Sequence, residues 1–393
     1  MDSLPIPSQE ISLPGHPEQG MAVEAAPPSG PWVEDPSWTG LDLLLLVCVV
    51  FLGIVFFTAV AMGVVHGVKG QPLAEMAGNL SVWIVVPAEG GAYLVMFAVL
   101  YWLVGRRGLP LWPALNWQWP RGFGACGFLL MGFVLAFAAG LLQKVLPMPK
   151  ELPIEKLFFQ PGAPQLLALF GVLVAPLVEE TLFRGVLYPV ANRWLRGVLN
   201  SQPRLRRAGL VFLGLIPWGF LARWRPPLVS AVLAVGALVA TAVVCASRSD
   251  RGRPAEAVRA ILPGITFSAL ALVASRLSLR SWEGASIGLL CASLLMMLLS
   301  VGLRSGITAT RIGIGLSFVL TAISFALLHG EQLGGYWAPI LVLSGVSVVL
   351  TFVRASSKSL AASVLVHVGY NATLFGGMYI ATDHFRHLEQ LTR

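Results

Sequence analysis

Two adjacent glutamates, Glu179 and Glu180, and an arginine, Arg184, stand inside an apolar run from about Leu166 to Val190. A charged side chain at the centre of a bilayer costs about 2.5–3.5 kcal/mol on insertion scales, so ionisable groups there require both a partner and a purpose. On a helix, Glu180 and Arg184 lie four residues apart on one face and can pair. Glu179 is rotated by about 100° from Glu180, away from that arginine. One carboxylate is therefore suited to a structural ion pair, and its neighbour is left for chemistry.

Two of the six histidines also fall in apolar runs. His329 closes the stretch Phe325-Ala326-Leu327-Leu328-His329, with Phe325 one turn earlier on the same face. His367 and Asn371 are four apart on one face of the last apolar run. This set can perform acid–base chemistry on water. A glutamate beside an imidazole in low dielectric suits a general base. A second imidazole and a carboxamide supply two donors of the kind that hold the oxyanion of a tetrahedral intermediate. On this reading Glu179, His329, His367 and Asn371 are catalytic, while Glu180, Arg184 and Phe325 support them. No cofactor is required, but Glu179, His329 and His367 would also serve as ligands for a divalent metal such as zinc. A further in-span carboxylate, Glu89, sits in Val86-Pro87-Ala88-Glu89-Gly90-Gly91 and reads as a structural or access-path residue.

Glu179-Glu180-x-x-x-Arg184, Phe325-x-x-x-His329 and His367-x-x-x-Asn371 resemble, in the same order, the three motifs of the CPBP intramembrane proteases. These are the CAAX-processing and bacteriocin-processing enzymes, also called the Abi family. Phe183 and Gly185 fit the first motif as well. The resemblance covers roughly 123–380 and implies a glutamate-dependent endopeptidase acting on a membrane-anchored or lipidated protein or peptide. Family members place the second motif a few tens of residues after the first. Here residues 185–324 separate them, so the helices between look like an insertion.

The elements that must position these residues follow from composition. The chain has 393 residues, 56% of them hydrophobic and only 12% charged, against about 25% charged in soluble domains. The fold class is all-α, a polytopic transmembrane bundle of ten or eleven helices. The expected spans are about 41–65, 80–104, 123–145, 166–194, 313–329, 338–353 and 360–380, with 209–222, 228–246, 261–274 and 285–303 between the motifs. The runs do not alternate as barrel strands do. The net charge of +8 comes largely from Lys and Arg in short loops, where they orient a membrane protein, so the partner is the lipid bilayer and not nucleic acid.

Residues 1–38 carry eight prolines and no Lys or Arg, the composition of a disordered tail. Residues 39–122 form N-terminal membrane helices and an interfacial connector marked by Trp112, Trp117 and Trp119. Segments 123–207 and 304–381 form the catalytic membrane core, 208–303 the inserted helices and 382–393 a polar C-terminal tail. Cys48, Cys126, Cys245 and Cys291 all lie in apolar runs and read as small buried hydrophobes. The location expected is a bacterial inner membrane. The alternative function is a transporter or membrane scaffold using the same polar groups, which would string them along a pore instead of gathering them around one water.

Overall fold

A computed structural model describes residues 32–78, 80–120, 124–200 and 307–388. All regular secondary structure among these residues is helical. Among the described residues seven helices are long and apolar enough to cross a membrane: α1 (Gly40–Lys69), α2 (Val82–Gly105), α3 (Gly124–Val145), α4 (Ala163–Asn200), α5 (Thr310–Leu328 within Ile307–Leu328), α6 (Trp337–Ser357) and α7 (Leu360–Ala381). Each corresponds to a span expected from the sequence, and the chain is an integral, multi-pass membrane protein. The four further runs expected between 209 and 303 lie outside the described residues.

The outer faces of these helices carry large apolar side chains such as Leu52, Phe56, Leu94, Leu130 and Phe137. In water such faces would be unstable, whereas in lipid they are ordinary. Association therefore depends on close packing rather than on escape from water. Among the described residues the closest backbone approach at a glycine joins α3 to α7. A Cβ on Gly132 would lie 2.2 Å from the Val366 carbonyl oxygen, and one on Gly369 would lie 2.3 Å from that of Leu129. Only glycine lets the two backbones approach this far, and that approach fixes the helix bearing His367.

The connector after α2 is ordered and docks on the start of α7. The amide of Leu360 donates to the Asn116 carbonyl at 3.0 Å, and Leu115 is buried in the main core. Arg107 reaches back to Asp42 at 2.7 Å, tying the end of α2 to the start of α1.

Two expectations are corrected. Residues 32–38, read by composition as the end of a disordered tail, form a packed strap. Arg193 donates to the carbonyls of Pro36 and Trp38, and Arg196 donates to that of Glu34 at 2.6 Å. The Glu34 carboxylate meets Arg354 at 3.3 Å and Lys358 at 3.0 Å, and Trp38 is fully buried. Proline-rich backbone has no helix or sheet to satisfy its carbonyls, and here arginines of α4 do so. The second correction concerns cysteine. Cys48 and Cys126 are exposed on the outer faces of α1 and α3, where lipid solvates a thiol as readily as a protein core does; Cys245 and Cys291 lie outside the described residues.

The α3–α7 contact makes a paired prediction. Gly369→Ala forces a methyl group into a backbone and should destabilise the protein by about 1–3 kcal/mol, the usual range for overpacking. Gly376, on the same helix with nothing within 4 Å of a built Cβ, should tolerate alanine with no loss, since glycine inside a helix is itself unfavourable by about 0.5–1 kcal/mol. Thermal midpoints in detergent compare the two; equal midpoints would show that the close approach is not what holds α7.

Candidate active site

The helix carrying both glutamates is longer than its apolar run and is not uniformly α-helical. Within α4, residues Phe170–Val174 and Thr181–Leu187 are π-helical and bracket the α-helical turn Ala175–Glu180. Such stretches are uncommon and concentrate at functional sites. The first of them presents the Gly171 carbonyl to α7, where the Asn371 amide donates to it at 2.6 Å.

Glu180 and Arg184 are both 0% exposed. Arg184 Nη1 donates to Glu180 Oε1 at 2.9 Å, the pair expected from their spacing. The same carboxylate oxygen faces His367 Nδ1 at 2.8 Å, and the other accepts from the Ser363 hydroxyl. The guanidinium continues to α6, donating to the Ser347 carbonyl at 3.0 Å and hydroxyl at 2.6 Å, and to Thr351 Oγ1 at 3.4 Å. Beneath it lies the Phe325 ring of α5, 4.6 Å from the guanidinium carbon. Phe325 also touches both imidazoles, with ring centres 4.7 Å from His329 and 5.9 Å from His367. It is the apolar floor shared by both histidines and the arginine.

Glu179 is placed differently. Its side chain keeps 18% of its surface exposed, as does that of His329. Its two carboxylate oxygens face His329 Nε2 at 3.6 Å and His367 Nε2 at 3.8 Å. Both distances exceed a direct hydrogen bond. The far side of each imidazole is already committed. His329 Nδ1 faces the Phe325 carbonyl at 2.8 Å, and His367 Nδ1 faces Glu180. A carbonyl and a carboxylate only accept, so each Nδ1 carries the hydrogen and each Nε2 is directed at Glu179.

The structure thus brings Glu179, His329 and His367 together, with Glu180, Arg184 and Phe325 supporting them. Asn371 lies one turn further along α7, with one of its two amide hydrogens given to Gly171. Ser347, Thr351 and Ser363 belong to the same network and were not singled out from the sequence. The signals were present: Ser363-x-x-x-His367 repeats the spacing of His367-x-x-x-Asn371, and Ser347-x-x-x-Thr351 places two hydroxyls on one face of an otherwise apolar span. Glu89, which no motif covers, is half-buried on α2. Among the described residues no three His, Cys, Asp or Glu side chains converge as a metal-binding set.

Residues 301–373 match the model of the family described as Type II CAAX prenyl endopeptidase Rce1-like. The matched segment carries Phe325-x-x-x-His329 and His367-x-x-x-Asn371, so the resemblance seen in three motifs is shared with that family over the second and third. The first motif lies upstream of the match. No curated protein and no solved structure matches the chain.

The burial of the pair sets an expectation for Glu180→Gln. Removing one partner of a buried ion pair leaves the other uncompensated, at about 3–5 kcal/mol. The variant should be recovered in much lower yield, with a thermal midpoint well below wild type. A midpoint equal to wild type would mean that Arg184 is satisfied without Glu180.

Proposed function

We propose that this chain is an intramembrane endopeptidase of the CAAX-processing type, hydrolysing a peptide bond of a membrane-anchored or lipidated protein or peptide. The observation that carries this reading is Glu179, partly exposed between two imidazoles whose outer nitrogens are occupied by acceptors. A water held between Glu179 and His329 Nε2 finds two acceptors and donates a hydrogen to each. Its lone pairs are then turned outward, toward a substrate carbonyl.

Attack forms the bond from the water oxygen to the carbonyl carbon, while the proton released passes to Glu179. The carbonyl oxygen becomes an oxyanion. His367, held at Nδ1 by Glu180, donates from Nε2 when charged, and the second amide hydrogen of Asn371 supplies another donor. Collapse of the intermediate breaks the carbon–nitrogen bond, and the proton on Glu179 moves to the leaving amine. Glu180 and Arg184 touch no reacting atom; they fix the orientation of His367. A transporter would call for polar groups strung along a path, whereas here three of them meet around one point.

Glu179→Gln separates chemistry from stability. The carboxamide keeps the shape of the side chain but cannot take a proton from water. Purified yield and thermal midpoint should equal or exceed wild type, while hydrolysis of a farnesylated CAAX peptide should fall by about 100- to 10,000-fold, the usual contribution of a general base. Retention of wild-type turnover by Glu179→Gln excludes this mechanism.

A further inference from the structure

A cavity of about 440 Å³ lies between the strap, the connector after α2 and the end of α6, with Gly185 and Pro189 of α4 in its wall. It is many times larger than one water, whose share of liquid volume is about 30 Å³. Glu179, His329 and His367 are not among its lining residues. α6 ends and α7 begins beside it, and Trp112 and Trp119 of the same connector are exposed. Exposed tryptophans of a membrane protein belong at the headgroup level, so this cavity lies at the membrane surface.

Its polar wall is short of acceptors. Arg354 and Glu34 are almost wholly buried and meet at 3.3 Å, long for a guanidinium on a carboxylate, where about 2.7–2.9 Å is usual. Lys358 Nζ takes the same carboxylate oxygen at 3.0 Å, so one carboxylate serves two cations. The remaining charged residue of the wall, Asp35, is bonded to Arg196 at 2.9 Å. Arg354 Nε and Trp38 Nε1 are buried without a hydrogen-bond partner among the described residues, and both residues line the cavity. Buried donors are nearly always satisfied, and each exception needs a physical account. Here the surplus is one positive charge and two N–H donors, and what would answer it is an anionic acceptor. The Lys358 side chain is 38% exposed, so an anion can reach it from the surface.

We propose that this cavity is a phosphate-binding site, taking the headgroup phosphate of an anionic lipid at the membrane surface. Phosphate oxygens accept from guanidinium, ammonium and indole N–H groups alike, and the planar fork of arginine suits them best. Basic pockets between transmembrane helices hold anionic headgroups in this way. Leu109, Pro110 and Pro113 in the wall give the glycerol and first methylenes of such a lipid an apolar surface. A free phosphate ion offers the same oxygens without the acyl chains. The site does not depend on the endopeptidase reading.

The probe is phosphatidylglycerol with a fluorophore on one acyl chain, bound to the full chain in detergent micelles. Unlabelled phosphatidylglycerol, phosphatidylcholine or inorganic phosphate then displaces it. Phosphatidylcholine carries the same phosphate with a compensating ammonium, so phosphatidylglycerol should displace the probe at about tenfold lower concentration. Lys358→Gln, at a partly exposed position, should bring that ratio to about one. Arg354→Lys keeps the charge without the Nε–H, Trp38→Phe keeps a ring without the indole donor, and each should lower the ratio about threefold. Arg106→Gln is the control: it removes a charge from the same end of the bundle, where Arg106 lies over Trp102 and outside the cavity, and should leave the ratio unchanged. Failure of inorganic phosphate to displace the probe assigns the site to a lipid headgroup. Displacement by inorganic phosphate that Lys358→Gln abolishes assigns it to phosphate itself. A wild-type ratio near one with no displacement by inorganic phosphate overturns the proposal. So does a ratio lowered as far by Arg106→Gln as by Lys358→Gln, which would mean diffuse attraction to a basic surface.

Discussion

The buried pair of Glu180 and Arg184 is the constraint on which the rest of this bundle depends. Neither group touches water, so each hydrogen-bonding direction must be met by protein. The partners come from three other helices: Ser347 and Thr351 on α6, Ser363 and His367 on α7, and the Phe325 face on α5. A pair of this kind adds little net stability over apolar packing. Its contribution is specificity of arrangement, because rotating or sliding any of those helices strands a charge in low dielectric. The reactive group, Glu179, is its immediate neighbour in sequence and inherits a fixed position from it.

The π-helical stretches on either side of the glutamates serve the same end. A continuous α-helix would set the phase of its two ends by sequence alone. Widened turns at Phe170–Val174 and Thr181–Leu187 adjust the phase of the Glu179–Glu180 turn relative to both, so that one glutamate faces the protein interior and the other a partly open space. Asn371 bonded to Gly171 holds the first of these turns against α7.

Much of this was legible in the sequence. Hydrophobic run length located all seven described spans, because in lipid a helix must satisfy its own backbone. The i, i+4 spacing gave the Glu180–Arg184 pair, and the isolated polar groups in apolar runs gave Glu179, His329 and His367. What could not be read depends on contacts between distant parts of the chain. The strap at 32–38 is ordered only because Arg193 and Arg196 sit where its carbonyls pass. The π-helical turns have no signature in residue type. Lipid exposure of Cys48 and Cys126 depends on which face each helix turns outward, and helices as uniformly apolar as α1 do not announce that. Glu89 was visible as an in-span carboxylate, but the packing of α2 on α4 that surrounds it joins segments far apart in the chain, Val82 and Val86 against Ala163 and Phe170.

The placement of the ion pair within one helix also bears on how the protein enters the membrane. During synthesis α4 reaches the bilayer before α5, α6 and α7 exist, so Ser347, Ser363 and His367 cannot yet help it. Because Arg184 is one turn from Glu180, the helix can neutralise its two most deeply buried charges internally and partition as a nearly self-contained unit. Had the arginine been placed on α6 or α7, each of two nascent segments would have had to cross into lipid carrying an unmatched charge. The local pairing lets biogenesis proceed in chain order, and the later helices then find a dipole already in place on which to assemble.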